Sequence, residues 1–239
     1  MQSRREGIKF FSNRKVKIVI EIIATTVEDA LEIEAGGADR IELISAASEG
    51  GLTPSYGLIK AVIEAVSIPV NVIIRPHSKH FVYTDEDIKL MKADIEITKA
   101  LGANGVVLGV LTEDLRVAVD KLEDLLRVCS GLDVTFHRAI DKTNVVESVK
   151  LLTSFKEITS ILTSGGSAAP VEQNTAVIKE MIAHANEINV IVGGGVRLEH
   201  LNDIATSGAT QFHLGQAVRI NDVVVNEKVR AVVDHFNRR

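Results

Sequence analysis

The sequence predicts a single (β/α)8 barrel, eight parallel strands ringed by eight helices in the TIM-type arrangement. Three observations lead there. Short runs rich in Val, Ile and Leu alternate with helical patterns eight times along 239 residues, a length typical of one such barrel. Most runs are almost continuously apolar rather than alternating, as expected for strands covered on both faces. A Gly-Ala signature recurs where a helix hands over to a strand, at Gly37-Ala38, Gly102-Ala103 and Gly208-Ala209. In each, a left-handed glycine ends the helix and the next strand begins.

The elements follow in order. Strand 1 is expected over 16–23, and Thr26-Val27-Glu28-Asp29 has the form of a capping box for a helix ending at Gly36-Gly37. Strand 2 covers 39–44 and its helix 55–66. Strand 3 covers 70–75, and Thr84 caps a helix over 85–101 that stops at Gly102. Strand 4 covers 105–109 with a helix over 117–129, and strand 5 covers 133–138 with a helix over 144–155. Strands 6, 7 and 8 are expected at 158–164, 189–193 and 211–215, with helices at 171–186, 198–207 and 223–236. No Pro/Ser-rich linker interrupts the series, so residues 16–239 read as one barrel domain after a basic extension, 1–15.

Composition narrows the function. The hydrophobic share is 46% and the charged share 25%, which excludes wholesale disorder. The chain has no Trp and two Tyr, and its net charge is −5, which argues against a nucleic-acid partner. Arg4, Arg5, Lys9, Arg14, Lys15 and Lys17 face the one acid Glu6, so residues 1–17 carry +5 and the remainder −10. That start reads as a solvated tail. One cysteine, Cys129, allows no internal disulfide, and no run of 18 apolar residues exists. The expected setting is the cytoplasm, with no membrane partner.

In a barrel the active face is the carboxyl end of the strands. The polar residues expected there are Glu21, Glu42, Arg75, His77, His137, Asp141, Ser164 and His213, with glycines Gly165, Gly193, Gly194, Gly195 and Gly215. Period 2 puts Ile73, Arg75 and His77 on one face, and Thr135 with His137 on one face. The repeat sets Glu42 level with His213, and closure makes strand 8 the neighbour of strand 1. Buried charges demand pairing. Either these groups neutralise one another, Arg75 bridging Glu21 and Glu42, or they line a pocket for a small ligand or a metal. In the metal reading Glu21, Glu42 and His213 are the ligands. In the enzyme reading His137 is general acid or base, oriented by Asp141 or Glu42. Arg75, Ser164, Gly165, Gly193, Gly194, Gly195 and Gly215 would then clamp an anionic or phosphorylated metabolite. A non-catalytic scaffold is the third reading.

Glu21, then Ala38-Asp39-Arg40-Ile41-Glu42-Leu43, then Glu49-Gly50-Gly51-Leu52-Thr53-Pro54-Ser55 resembles the opening of the CutC family. Ile73-Ile74-Arg75-Pro76, Thr135-Phe136-His137-Arg138-Ala139-Ile140-Asp141 and Leu162-Thr163-Ser164-Gly165-Gly166 continue the resemblance in order. It spans roughly 16–220. The resemblance implies a cytoplasmic TIM-type barrel, a homodimer or larger, with a role in copper homeostasis and copper as a bound ion. Many members carry cysteines just after the first two strand glutamates, where this chain has Ile23-Ala24 and Ile44. Copper(I) prefers thiolate and thioether ligands. Cys129, Met1, Met91 and Met181 build no cluster in the sequence.

Overall fold

The structure is a computed structural model that describes residues 17–166 and 169–237; the basic extension 1–15 lies outside them. Eight parallel strands close into a barrel in chain order. They are β1 (Val19–Ala24), β2 (Arg40–Leu43), β3 (Val70–Ile73), β4 (Gly105–Leu108), β5 (Asp133–Phe136), β6 (Ile158–Thr163), β7 (Asn189–Val192) and β8 (Gln211–Leu214). The helices are α1 (Val27–Ala35), α2 (Tyr56–Ala65), α3 (Asp85–Ala100), α4 (Val119–Leu126), α5 (Val145–Leu152), α6 (Thr175–His184), α7 (Leu201–Ala205) and α8 (Asn226–Asn237). The predicted fold class is the observed one.

Local chemistry sets the ends of these elements. Thr84 and Asp87 make the reciprocal capping box that opens α3. At α1 only half of the expected box forms. Thr26 accepts from the Asp29 amide, but the Asp29 carboxylate turns instead to Thr25 and Arg219. Gly37, Gly102 and Gly208 all have φ between +85° and +90°, the left-handed conformation expected of the repeat.

Several expected helices are shorter, among them α5, expected over 144–155 and formed over Val145–Leu152. Val117 pairs with Leu111 in a small antiparallel bridge, so α4 starts two residues later. Residues 171–173 and 198–200 are single 3-10 turns ahead of α6 and α7. The last helix is corrected at its start. Val223–Val224 is a strand, β10, paired antiparallel with β9 (Arg219–Ile220). Asn221 and Asp222 take positive φ between them, a two-residue hairpin turn.

The main core lies between strands and helices and takes Ile20, Ile22, Ile41, Leu43, Val72 and Ile74 from the first three strands. Each fully buried aliphatic side chain contributes about 1.5–3 kcal/mol. The residues of opposite parity face the barrel interior. There Ile23, Ile44, Ile73 and Val107 form a small separate apolar cluster. Glu21, Glu42, Arg75, Thr135, His137, Ser164 and His213 share that inward parity and are all buried. The register sets Glu21 opposite both His213 on β8 and Arg40 on β2.

Candidate functional site at the barrel mouth

A cavity of about 890 Å³ opens over the carboxyl ends of the strands. Its floor is apolar, from Ile23, Ile44, Ile73 and Leu162. Its polar wall holds Glu42, Arg75, His137, Arg138 and His213, with Arg197, Arg219 and Lys228 toward the rim. The cations outnumber Glu42 and Glu199, although the whole chain is acidic.

One cluster is anchored on β1, β2 and β8. His213 Nδ1 lies 2.7 Å from Glu21 Oε1, and its Nε2 lies 3.7 Å from Glu42 Oε2. Arg40 Nε donates to the other Glu21 oxygen at 2.5 Å, and Arg40 Nη2 donates to Gln211 at 3.1 Å. Burial works against the Glu21 charge, but Arg40 and His213 together outweigh it and hold the carboxyl down at about 2. Burial pushes the Glu42 carboxyl up to about 7, with Glu21 adding to the push. Burial also opposes charge on His213, yet Glu42 and Glu21 overcome it and raise the imidazole above its ordinary value. The bridge expected from Arg75 is therefore made by Arg40, and it reaches Glu21 alone. Arg40 has the parity of Glu42 two residues on, and the strand register sets it opposite Glu21.

Arg75 does something else. It is 6% exposed, and no carboxylate lies within 4 Å of it among the described residues. Its Nη1 donates to the carbonyls of Glu49 and Gly51 at 2.8 and 2.9 Å, and Nη2 to Ser78 O at 3.2 Å. Gly50 and Gly51, at φ +81° and +90°, give the loop the turn that delivers those carbonyls. The guanidinium carbon stands 5.0 Å from the Phe81 ring centre, and Nε is buried without a partner. A buried cation held by neutral groups, the carbonyls and the neighbouring Tyr83 hydroxyl, leaves positive potential at the cavity wall. Phe81 sits in a loop with no periodic pattern, and nothing in the sequence marked it.

His137 follows β5. Its Nδ1 accepts the Ala139 N–H at 3.2 Å, and its Nε2 is buried with no partner. Burial first, then the positive charge of Arg75, pushes it down to about 3, so it is neutral at physiological pH. Neither Asp141 nor Glu42 orients it. Asp141 instead binds the loop after β6: its carboxylate accepts from Thr163 Oγ1 (2.6 Å), Ser164 Oγ (2.7 Å), the Ser164 and Gly166 amides, and Arg138 Nε (2.9 Å).

The glycine amides divide. Gly193 N–H is spent on Thr163 O and Gly165 N–H on Thr163 Oγ1. Gly194 and Gly195 have φ of +93° and +95° and line the cavity with Gly215. A Cβ on Gly194 would come within 2.9 Å of both Arg138 Cζ and Ser164 Cβ. His77 is not in the cavity wall; it lies past the end of β3, where period 2 stops, and its Nε2 is 3.7 Å from Asp87.

Copper fits these residues poorly. Cys129 lies just before β5 at the opposite end of the barrel, its Sγ donating to Leu125 O at 3.3 Å. Burial pushes its thiol up to about 12, so no thiolate is offered. Met91 and Met181 are fully buried under the helices. Glu21 is taken by Arg40 and His213. Among the described residues no three His, Cys, Asp or Glu side chains converge as a metal site.

The CutC family pattern matches residues 18–218. The human copper homeostasis protein cutC homolog is 43% identical over 199 residues, 82% of this chain and 72% of that protein. A family protein CutC of Salmonella typhimurium is 38% identical over 201 residues, 84% of this chain and 80% of its own length. A Streptococcus agalactiae structure described as a copper homeostasis protein CutC superposes with TM-score 0.80 at 33% identity, covering 84% of this chain and all of that one. Thiamine phosphate pyrophosphorylase from Pyrococcus furiosus, at 14% identity and TM-score 0.65, shares the fold alone. The chain belongs to the CutC family.

Proposed function

We propose that this chain serves copper homeostasis, the role for which its relatives are named, as a cytoplasmic barrel that binds a small anionic or phosphorylated metabolite at its mouth. The observation that carries the anion is Arg75, a buried guanidinium on the cavity wall held by carbonyls with no carboxylate partner among the described residues. An anion completes its charge balance. Gly194, Gly195 and Arg138 offer further contacts across the cavity. Glu42 supplies the proton-transfer group, since its carboxyl titrates near neutrality and faces the cavity beside His213. A homodimer or larger assembly belongs to the same proposal, on the resemblance to the family.

The second reading is direct copper binding, for which the relatives' name speaks. One experiment separates the two. Tag-free protein is titrated with copper(I) against a chromophoric chelator under reducing conditions, and separately with inorganic phosphate and oxalate by thermal shift. Stabilisation by an anion with no copper(I) competition is expected. Tight one-to-one copper(I) binding with no anion effect would overturn the anion reading.

A further inference from the structure

His137 is buried, and the backbone decides its tautomer. Nδ1 faces the Ala139 N–H at 3.2 Å, so Nδ1 must accept and the ring proton must sit on Nε2. A Cβ on Gly109 would fall 2.5 Å from Nδ1, so glycine is what leaves room for the imidazole. Phe81 packs on it at 5.0 Å between ring centres. The result is a fixed N–H donor with no acceptor among the described residues. Arg75 Nε is a second such donor, and its guanidinium lies against the same Phe81 ring. The charged groups that act on His137 are Arg75, Arg138 and Asp141. Two buried donors on one wall call for oxygen acceptors, and one of them is cationic.

We propose that His137 acts as a neutral hydrogen-bond donor, through Nε2–H, to a carbonyl oxygen of an anion whose charge sits on Arg75. This rests on the anion reading above and names its substrate class as a 2-oxo acid or an equivalent carbonyl compound. The chemistry is proton transfer at the carbon beside that carbonyl. The C–H bond breaks and its proton passes to the Glu42 carboxylate. The electron pair forms a C=C bond while the carbonyl π pair moves onto oxygen, where His137 Nε2–H holds it. Return of the proton, or of a deuteron from solvent, to that same carbon restores the carbonyl and needs no oxidant or reductant. His137 is then not the general acid or base that its place after β5 suggested.

The test uses the full chain labelled with 15N at histidine and oxalate, a planar mimic of a 2-oxo acid enolate. The expected spectrum has Nδ1 as acceptor and Nε2 protonated, unchanged from pH 5 to 8. Oxalate should shift the Nε2 proton, and His137→Gln, which keeps an N–H donor, should bind oxalate more tightly than His137→Phe by at least tenfold. With pyruvate in D2O, deuterium should enter the methyl group and cease to do so in Glu42→Gln. An Nδ1–H tautomer, titration between pH 5 and 8, or bound oxalate that leaves Nε2–H unmoved overturns the role of His137. Pyruvate binding without exchange overturns the reaction. Failure of either anion to bind wild type overturns the anion site itself, a separate result.

Discussion

Replacing Arg75 by Met separates a strut from a binding group. In the protein without ligand, two effects oppose. The substitution removes hydrogen bonds to three carbonyls at 2.8, 2.9 and 3.2 Å. Bonds from a charged donor contribute about 1.5–3 kcal/mol each. It also removes a cation buried with no carboxylate partner, whose effective desolvation cost is several kcal/mol. The balance should stay within about 2 kcal/mol, or roughly 4–8 °C in Tm for a chain of this length. Ligand binding has no such compensation. An anion at a hundred times its Kd stabilises the wild type by about 2.7 kcal/mol, a rise of roughly 5–11 °C. Losing the cation costs about 2–5 kcal/mol of affinity, so the same anion concentration should stabilise the variant by at most about 1 kcal/mol, a rise of no more than roughly 2–4 °C. The assay is calorimetric Tm against inorganic phosphate and oxalate for both proteins at pH 7. If Arg75→Met keeps the anion-dependent rise, Arg75 is not the anion group. A fall above 15 °C without ligand would make it a structural strut instead.

Cys129→Ser should lower stability by about 1–3 kcal/mol, because a hydroxyl replaces a buried thiol, and leave copper(I) competition unchanged; selective loss of copper binding would contradict the donor argument. Gly194→Ala forces φ of +93° on an L residue and a 2.9 Å contact with Arg138 and Ser164. Denaturant unfolding should show a loss of about 1–3 kcal/mol, and no loss would mean the turn relaxes freely. The pH dependence has two opposing parts. Glu21, held near 2, and His137, held near 3, stabilise the fold above the ordinary values of 4.5 and 6.5 and lose that stabilisation as the pH falls toward 2–3. Glu42, raised to about 7, favours the fold below pH 4.5 and loses that advantage as the pH rises through 7. Glu42→Gln should therefore raise Tm relative to wild type at pH 8 but not at pH 5, and an equal change at both would place its titration elsewhere.

What the sequence disclosed about this site follows strand geometry. Period 2 puts Thr135 with His137 on one face, the repeat sets Glu42 level with His213 and closure brings β8 beside β1, and such reasoning holds for as long as a strand continues. His77 lies four residues beyond β3, where the alternation no longer applies, and it turned to Asp87. The hairpin at 219–224 was hidden for a related reason. Val223 and Val224 fit the apolar pattern of α8, and the Asn221-Asp222 turn that splits them off acts through positive φ, which hydropathy does not register. In the sequence Arg40 stands only within the motif 38–43, and its pairing with Glu21 is not legible there because it depends on the register between β1 and β2.

The role of His137 shows where pattern reading stops for a chemical reason. A histidine at the end of a barrel strand near an aspartate suggests a catalytic base. Here the aspartate is consumed by Thr163 and Ser164, and the imidazole nitrogen that a base would need accepts a main-chain N–H two residues on. One missing side chain, at Gly109, is what lets the ring reach that amide. The tautomer is therefore set by a backbone group that carries no residue identity, while burial and Arg75 keep the ring neutral. Residue types alone suggest a base, whereas the Ala139 amide leaves His137 with its ring proton on Nε2, and the proton-accepting role proposed above therefore falls to Glu42.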